Sequence, residues 1–245
     1  MPNRCLYAST FADFLSQEPL AVLGALHNNY HGDTLTTTDE AWMGEIILMQ
    51  HVVEPWKEEA GQIVFEYDIP RLGKRIDVVL LIRGMIFCLE FKVGKKEEFQ
   101  AGIEQVMDYA LDLKNFHLFS HDKKIVPILI PTKYKEYTTK FQPSVYNDDI
   151  YNPMITGEEH LQELIARVLE HAGAKQSDKA LDNWLISPYL PLQPLSRLLG
   201  LCLRTIPWRI SLVMRQIRFR QTELSTIFLM LSDKVKNSEK RVSAL

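Results

Sequence analysis

Residues 75–92 read RIDVVLLIRGMIFCLEFK, and the predicted fold and the predicted site both centre on this stretch. Two apolar runs flank residues 83–84 (Arg-Gly), which predicts two β-strands joined by a tight turn. Each strand carries charge that a buried strand normally lacks: Asp77 in the first, and Glu90 and Lys92 in the second. An ionised carboxylate is costly to bury unless it is paired or bound to a metal. The stretch therefore predicts a site built on a hairpin.

Pairing through this turn places Asp77 opposite Glu90, so the two carboxylates would be direct cross-strand neighbours. Lys92 and Glu90 are two residues apart in one strand, so they point to the same face, roughly 6.6 Å apart along it. Two carboxylates this close repel each other, and a divalent cation between them removes the repulsion. Hard oxygen ligands indicate Mg²⁺ or Mn²⁺. A salt bridge among Asp77, Arg75 and Lys92 at a sheet edge is the alternative.

The flanking sequence predicts an α/β fold around the hairpin. A helix over residues 39–53 and a strand over 62–67 precede the hairpin, and a helix over 97–113 and a strand over 125–130 follow it. Because a helix separates the last strand from the hairpin, that strand is expected to return parallel to the sheet. The expected buried stripes are Trp42, Ile46, Met49 and Val53 on the first helix, and Phe99, Ile103, Val106, Met107 and Ala110 on the second.

Three polar side chains on these helices could reach the same edge of the hairpin. Glu45 lies between the buried stripe of the first helix and its solvent face, and Gln105 and Tyr109 lie one turn apart on the second. Their positions favour a metal site over a salt bridge. A cation, paired carboxylates and a lysine suit phosphodiester hydrolysis, because the cation polarises the phosphorus while the lysine activates water or neutralises the transition state.

The remaining segments are predicted more coarsely. We expect a helical lead-in over residues 1–37, a loop over 141–157, a helix over 158–171, a strap across the domain over 184–194 and a basic helical extension over 191–245. His117 and His121 are interpreted as surface histidines, since no third metal ligand accompanies them.

Composition bounds the possible partners and the compartment. The net charge of −3 argues against general polyanion binding, yet residues 197–245 carry ten Lys and Arg against three Asp and Glu. Near the hairpin, Arg75, Lys95 and Lys96 are candidate phosphate contacts. Three cysteines without a CxxC pair predict neither disulfides nor a zinc site. The absence of a signal-peptide pattern and of a long apolar run predicts a cytoplasmic protein without membrane association.

Asp77 followed after a gap by Glu90-Phe91-Lys92 resembles the D…ExK motif of the PD-(D/E)XK nuclease superfamily. Gln105 to Tyr109 (QVMDY) resembles the QxxxY motif of its RecB-like branch, and Glu45 matches the acidic residue that such proteins often carry on the first core helix. The predicted element order is similar to their restriction-endonuclease-like three-layer core, α-β-β-β-α-β with a mixed central sheet. One departure is that Ile76 stands where the motif has proline.

A closer likeness covers more of the chain. The runs FEYDIPRLGKRIDVVLL, CLEFKVG, QVMDYALDLKNFH, PILIPT and WLISPYLPLQP resemble the N-terminal region of bacterial nuclease–helicase proteins with a Schlafen group 3-like helicase domain. This resemblance implies Mg²⁺ bound by Asp77, Glu90 and Glu45 with the Phe91 carbonyl as a further ligand, and Lys92 as the catalytic lysine. It also implies that Gln105 and Tyr109 position the DNA or the site. No phosphate loop for a helicase is present in the sequence.

These observations predict a metal-dependent deoxyribonuclease domain over residues 38–190, between the lead-in and the basic extension. Asp77, Glu90 and Lys92 are its candidate catalytic residues, DNA is its substrate, and a helicase is a possible partner implied by the resemblance alone. The alternative is a non-catalytic module of the same fold that binds nucleic acid or a helicase. An intact pair of acids with its lysine favours the enzyme.

Overall fold

A computed structural model describes residues 4–30, 36–93, 99–132, 148–174 and 183–190. These residues form a mixed α/β fold in which five α-helices surround a six-stranded sheet. In chain order the elements are β1 (Tyr7–Thr10), α1 (Phe11–Ser16), α2 (Pro19–Asn29), α3 (Thr36–Val53), β2 (Gln62–Ile69), β3 (Lys74–Ile82), β4 (Met85–Lys92), α4 (Phe99–Phe116), β5 (Lys124–Pro131), β6 (Met154–Ile155) and α5 (Leu161–His171). None of the helices in the described ranges is long and apolar enough to span a bilayer.

The strands lie side by side in sequence order, from β1 to β6. The first four are antiparallel to their neighbours, whereas β5 runs parallel to β4 and β6 runs parallel to β5. The change of direction coincides with α4, which provides the long connection that a parallel pair requires. The predicted mixed sheet with a parallel return strand is therefore confirmed.

The hairpin forms at the predicted turn. Arg83 and Gly84 both have positive φ, 50° and 75°, as a two-residue turn of type I′ requires. The turn sets the register of β3 and β4, which pair from Ile82 opposite Met85 to Val78 opposite Leu89. Residues 78–82 of β3 and 85–90 of β4 are all buried, so their apolar runs are those of a sheet covered on both faces.

Helices cover both faces of the sheet. On one face α1, α2, α3 and α5 share a hydrophobic core with alternate strand residues such as Phe65, Phe87 and Ile128. On the other face α4 packs against β4 and β5. The approach of α4 is close, because a Cβ atom on Gly102 would lie only 2.7 Å from Cδ1 of Leu129. A glycine at this position therefore lets the helix lie directly on the sheet.

The buried stripe of α3 is confirmed, and that of α4 is partly wrong. Phe99, Val106 and Ala110 are buried as expected, but Ile103 and Met107 are only partly buried. Gly102, Tyr109 and Leu113 complete the buried face instead. Apolar spacing did not identify Gly102, since its role is to leave room rather than to fill it. The inward residues predicted for residues 158–171 are buried as expected: Leu161, Leu164, Ile165 and Val168.

Two strands were not predicted. β1 lies in the expected helical lead-in and pairs with the outer edge of β2, while α1 and α2 contribute Phe11, Phe14, Val22 and Leu26 to the shared core. β6 lies within the expected loop and is only two residues long. Both strands are short, so their positions come from pairing with the sheet rather than from a local pattern. The predicted extension over 191–245 lies outside the described residues.

The strap expected at 184–194 is described over residues 183–190, where it packs along the end of α4. The backbone amide of Leu118 donates to the carbonyl of Pro188 over 3.1 Å, and Leu190 donates to Phe116 over 2.7 Å. The ring of Trp184, which is 1% exposed, packs at a tilt against the ring of Tyr67, with centroids 4.6 Å apart. The strap thus covers the α4 side of the sheet near β2.

His117 is fully buried, so its assignment as a surface histidine is wrong. Trp184 Nε1–H donates to Ser120 Oγ over 2.9 Å, and the hydroxyl of Ser120 lies 2.6 Å from Nδ1 of His117. Nε2 lies 3.0 Å from the carbonyl of Trp184, so this nitrogen carries the proton and donates. Burial lowers the pKa of His117 to about 3, and the neutral ring therefore closes a cycle of hydrogen bonds that holds the strap.

This cycle predicts acid sensitivity. Below pH 6.5 the unfolded chain binds a proton on His117 that the folded protein excludes down to about pH 3, so the free energy of unfolding falls as the pH falls. Between pH 7 and pH 5 the loss should be about 2 kcal/mol. Urea unfolding of wild type and of His117→Gln at both pH values measures it: the variant should be less stable at pH 7 but lose about 2 kcal/mol less on acidification. The matched control is His121→Gln, an exposed position, which should behave as wild type. If the free energy of unfolding depends equally on pH in His117→Gln and in wild type, His117 is not the buried neutral histidine that makes the fold sensitive to acid.

Candidate active site

Asp77 lies where the regular pairing of β3 stops on both sides. The pairing with β4 ends at Val78, and the pairing with β2 skips residue 77 before it resumes at Ile76. In place of a backbone partner, the amide of Phe91 donates to Oδ2 of Asp77 over 2.7 Å. The carboxylate therefore occupies the gap between β3 and β4. The predicted neighbourhood of residues 77 and 90 follows from the confirmed register.

Glu90 is held from one side by two predicted residues. Its side chain is 2% exposed, and its Oε1 lies 2.7 Å from Nζ of Lys92. The amide nitrogen of Gln105 donates to the same oxygen over 2.6 Å and also to the hydroxyl of Tyr109 over 2.5 Å. Oε2 of Glu90 is buried and has no hydrogen-bond partner among the described residues. One oxygen is thus fixed in place while the other is left without compensation.

Glu45 approaches from α3, on the opposite side of the sheet from Gln105. The side chain as a whole is partly exposed, but its Oε2 is buried and has no partner within the described residues. Burial raises the pKa of Glu45 to about 8, and the charges of Glu66 and Glu90 add to the effect. For Asp77 the pKa is likewise raised well above its ordinary value by burial, Glu90 and Glu45. The carboxylates therefore oppose one another's ionisation.

The oxygen donors of the site suit a hard cation. Carboxylate oxygens with buried, uncompensated electron pairs suit Mg²⁺ or Mn²⁺. Burial raises the pKa values of Asp77 and Glu90, neighbouring carboxylates raise them further, and a cation would relieve this repulsion. Phe91, whose carbonyl the resemblance implies as a ligand, is the residue whose amide holds Asp77. Within the described ranges, no three His, Cys, Asp or Glu side chains are grouped as a metal centre. The residues fit a cation held by Asp77 and Glu90, with Glu45 nearby rather than in a three-acid cluster.

Glu66 belongs to this site and was missed in the sequence. It stands in β2 opposite the skipped position of Asp77, and its φ of 54° is a strained backbone conformation for a residue with a side chain. The indole N–H of Trp42 donates to its Oε1 over 2.9 Å. The same pairing rule, applied to the turn at residues 70–73, places Glu66 opposite Asp77 and could have identified it.

Of the three candidate phosphate contacts, only Arg75 lies within the described residues. Nε of Arg75 lies 2.7 Å from Oε2 of Glu66, so the residue is beside the carboxylates but is already paired. Its guanidinium also lies over the ring of Tyr30, 5.2 Å from the centroid. Lys95 and Lys96 lie outside the described residues. The structure thus brings together Asp77, Glu90, Lys92, Glu45, Phe91, Gln105 and Tyr109, with Arg75 at the rim.

Comparison with known proteins adds no assignment: neither a family model nor a curated protein nor a solved structure matches this chain. The likeness to PD-(D/E)XK nucleases therefore remains a sequence resemblance.

The crowded carboxylates predict that removing one stabilises the metal-free protein. Asp77→Asn keeps an acceptor for the Phe91 amide but eliminates a buried charge next to Glu90, so in EDTA its free energy of unfolding should rise by about 1 kcal/mol. For a chain of this size that is about 2–4 °C in melting temperature. Asp122→Asn, whose side chain is 76% exposed, is the matched control and should change stability by less than about 0.5 kcal/mol. A lower melting temperature for Asp77→Asn would show that its charge stabilises the fold.

Proposed function

We propose that this chain is a metal-dependent nuclease that hydrolyses DNA phosphodiester bonds. The observation that carries the proposal is the arrangement at the end of the hairpin, where Asp77 fills the gap between two strands and Lys92 contacts the buried Glu90 over 2.7 Å. A salt bridge alone needs neither a second buried acid nor an uncompensated carboxylate oxygen. Mixed α/β architecture in the order α3-β2-β3-β4-α4-β5 is compatible with a restriction-endonuclease-like core, which we propose as the fold type.

Asp77 and Glu90 would hold Mg²⁺, or Mn²⁺ in its place, with the Phe91 carbonyl as a further ligand and Glu45 in support. When bound, the cation supplies Lewis-acid polarisation of the scissile phosphate and lowers the pKa of the attacking water. Asp77 is positioned for this role because the Phe91 amide fixes one of its oxygens. Glu90 is positioned because Gln105 and Lys92 fix its Oε1 and leave Oε2 for the cation.

Lys92 would act at the reacting phosphate. Its side chain is 37% exposed while its Nζ touches Glu90, so the ammonium lies at the boundary between the buried acids and solvent, where a DNA strand would lie. From this position Lys92 can neutralise charge that develops on the phosphate or orient the attacking water. Tyr109 is buried and accepts from Gln105, so it supports the amide that orients Glu90 rather than contacting DNA.

A cleavage assay tests the proposal. Supercoiled and linear DNA are incubated with Mg²⁺, Mn²⁺ or EDTA and with wild type, Asp77→Asn, Glu90→Gln or Lys92→Ala. We expect cleavage only with a divalent cation, and a decrease in rate of about 100-fold or more in each variant, because each removes a group that acts in the transition state. Mg²⁺ should also raise the melting temperature of wild type but not of Asp77→Asn.

Two exposed residues provide matched controls: Lys57→Ala for the lysine, and Glu104→Gln, on α4 itself, for the acids. Both should cleave at the wild-type rate. Cleavage that persists in EDTA, or in both Asp77→Asn and Lys92→Ala, would refute the site. Binding of DNA without any cleavage by wild type would favour the alternative, a non-catalytic module that binds nucleic acid or serves a helicase.

A further inference from the structure

Glu66 stands out among the residues of the site, because both of its carboxylate oxygens are already bound. Trp42 Nε1–H donates to Oε1 over 2.9 Å, and Nε of Arg75 lies 2.7 Å from Oε2. The side chain is 12% exposed. This acid is therefore fixed in one orientation from two directions, unlike Glu90 and Glu45, each of which has an uncompensated oxygen in the described structure. Glu66 is built to hold Arg75 rather than to bind a cation.

The backbone supports this interpretation. The φ of Glu66 is positive in the middle of a strand, which is a strained conformation for a residue other than glycine and persists where the surrounding contacts impose it. Across Glu66 the side chains of β2 change face: Phe65 lies in the core beneath α1–α3, whereas Tyr67 packs against Trp184 on the other face of the sheet. Residues two apart in a regular strand share a face. The change of face directs Glu66 toward Trp42 and Arg75.

Arg75 is thereby presented at the rim of the site. The guanidinium nitrogen that lies nearest Glu66 is Nε. Because a guanidinium carries five N–H donors, its two terminal amino groups can donate to a second acceptor. Tyr30 lies beneath the guanidinium, 5.2 Å from ring centroid to Cζ, and supports it by a cation–π contact. The side chain is 39% exposed and is two residues from Asp77 on β3. A planar donor group held from two sides beside a phosphodiesterase site suits a phosphate.

We propose that Arg75, held by Glu66 and Tyr30, forms a subsite that binds a nucleic-acid phosphate next to the scissile one, with Glu66 as the positioning residue. This inference rests on the proposed function, since it takes a DNA strand as the ligand. It makes a counterintuitive prediction about charge. Removing an acid near DNA normally strengthens binding, because repulsion with the backbone decreases. If Glu66 positions Arg75, its removal weakens binding instead.

The test measures DNA affinity in EDTA, so that no cleavage is required. Fluorescence anisotropy with a labelled DNA oligonucleotide at several salt concentrations is applied to wild type, Arg75→Ala, Glu66→Gln and the double variant. We expect Arg75→Ala to weaken binding about fivefold and to reduce the salt slope by about one. Glu66→Gln should weaken binding about two- to threefold, and should have no further effect when Arg75 is already alanine. Arg167→Ala, on α5, is the arginine control and should bind as wild type.

Each outcome separates the subsite from the nuclease proposal. Unchanged affinity in Arg75→Ala, or tighter binding in Glu66→Gln, would overturn the subsite even if wild type cleaves DNA. Weaker binding through Arg75 in a protein that does not cleave would keep the subsite and refute the nuclease. A Glu66 effect that persists in the Arg75→Ala background would assign Glu66 to the fold alone. Tyr30→Leu should weaken binding, whereas Tyr30→Phe, which keeps the ring, should not.

Discussion

The hydrogen bond from the Phe91 amide to Asp77 is the interaction on which the site depends. Regular pairing between β3 and β4 would satisfy this amide with a backbone carbonyl and close the sheet. A carboxylate in that place keeps the amide satisfied while the strands separate, which opens a gap with acids on three neighbouring strands: Glu66, Asp77 and Glu90. Helices on both faces can reach this gap, so Glu45 and Gln105 meet the same acids from opposite sides.

The crowded carboxylates repel one another, and within the described part of the chain some of them contact a cationic side chain while others do not. Lys92 compensates Glu90 and Arg75 compensates Glu66, each by direct contact. Asp77 has only the neutral Phe91 amide, and burial together with Glu90 and Glu45 raises its pKa. Such partial compensation is common where function, rather than stability, determines which residues are buried. It is also why we propose a bound cation at this site rather than a network of salt bridges.

Predictions from sequence succeeded where a regular geometry links the residues. The turn at Arg83 and Gly84 determined the register of the hairpin, and helical spacing placed Gln105 and Tyr109 together; both results follow from periodicity. The failures concern positions whose role depends on distant segments. His117 contacts the strap, which lies far along the chain, and β1 pairs with the edge of β2, more than fifty residues away. Glu66 was overlooked because its role depends on Asp77 across a turn and on Trp42 in α3, and neither is part of the local pattern of β2.

Gly102 links the packing of α4 to the geometry of the site, so a substitution there would affect the site from a distance. Gly102 lets α4 lie against Leu129, and Gln105 is the next turn of the same helix. A methyl group at 102 would have to displace either Leu129 or the helix, and a shift of the helix would carry Gln105 away from Glu90. The position of the Gln105 amide, and with it the orientation of Glu90, therefore depends on how closely α4 packs on the sheet. Variation in this protein should therefore be restricted at position 102, although a glycine there contributes no side chain to the cluster of acids.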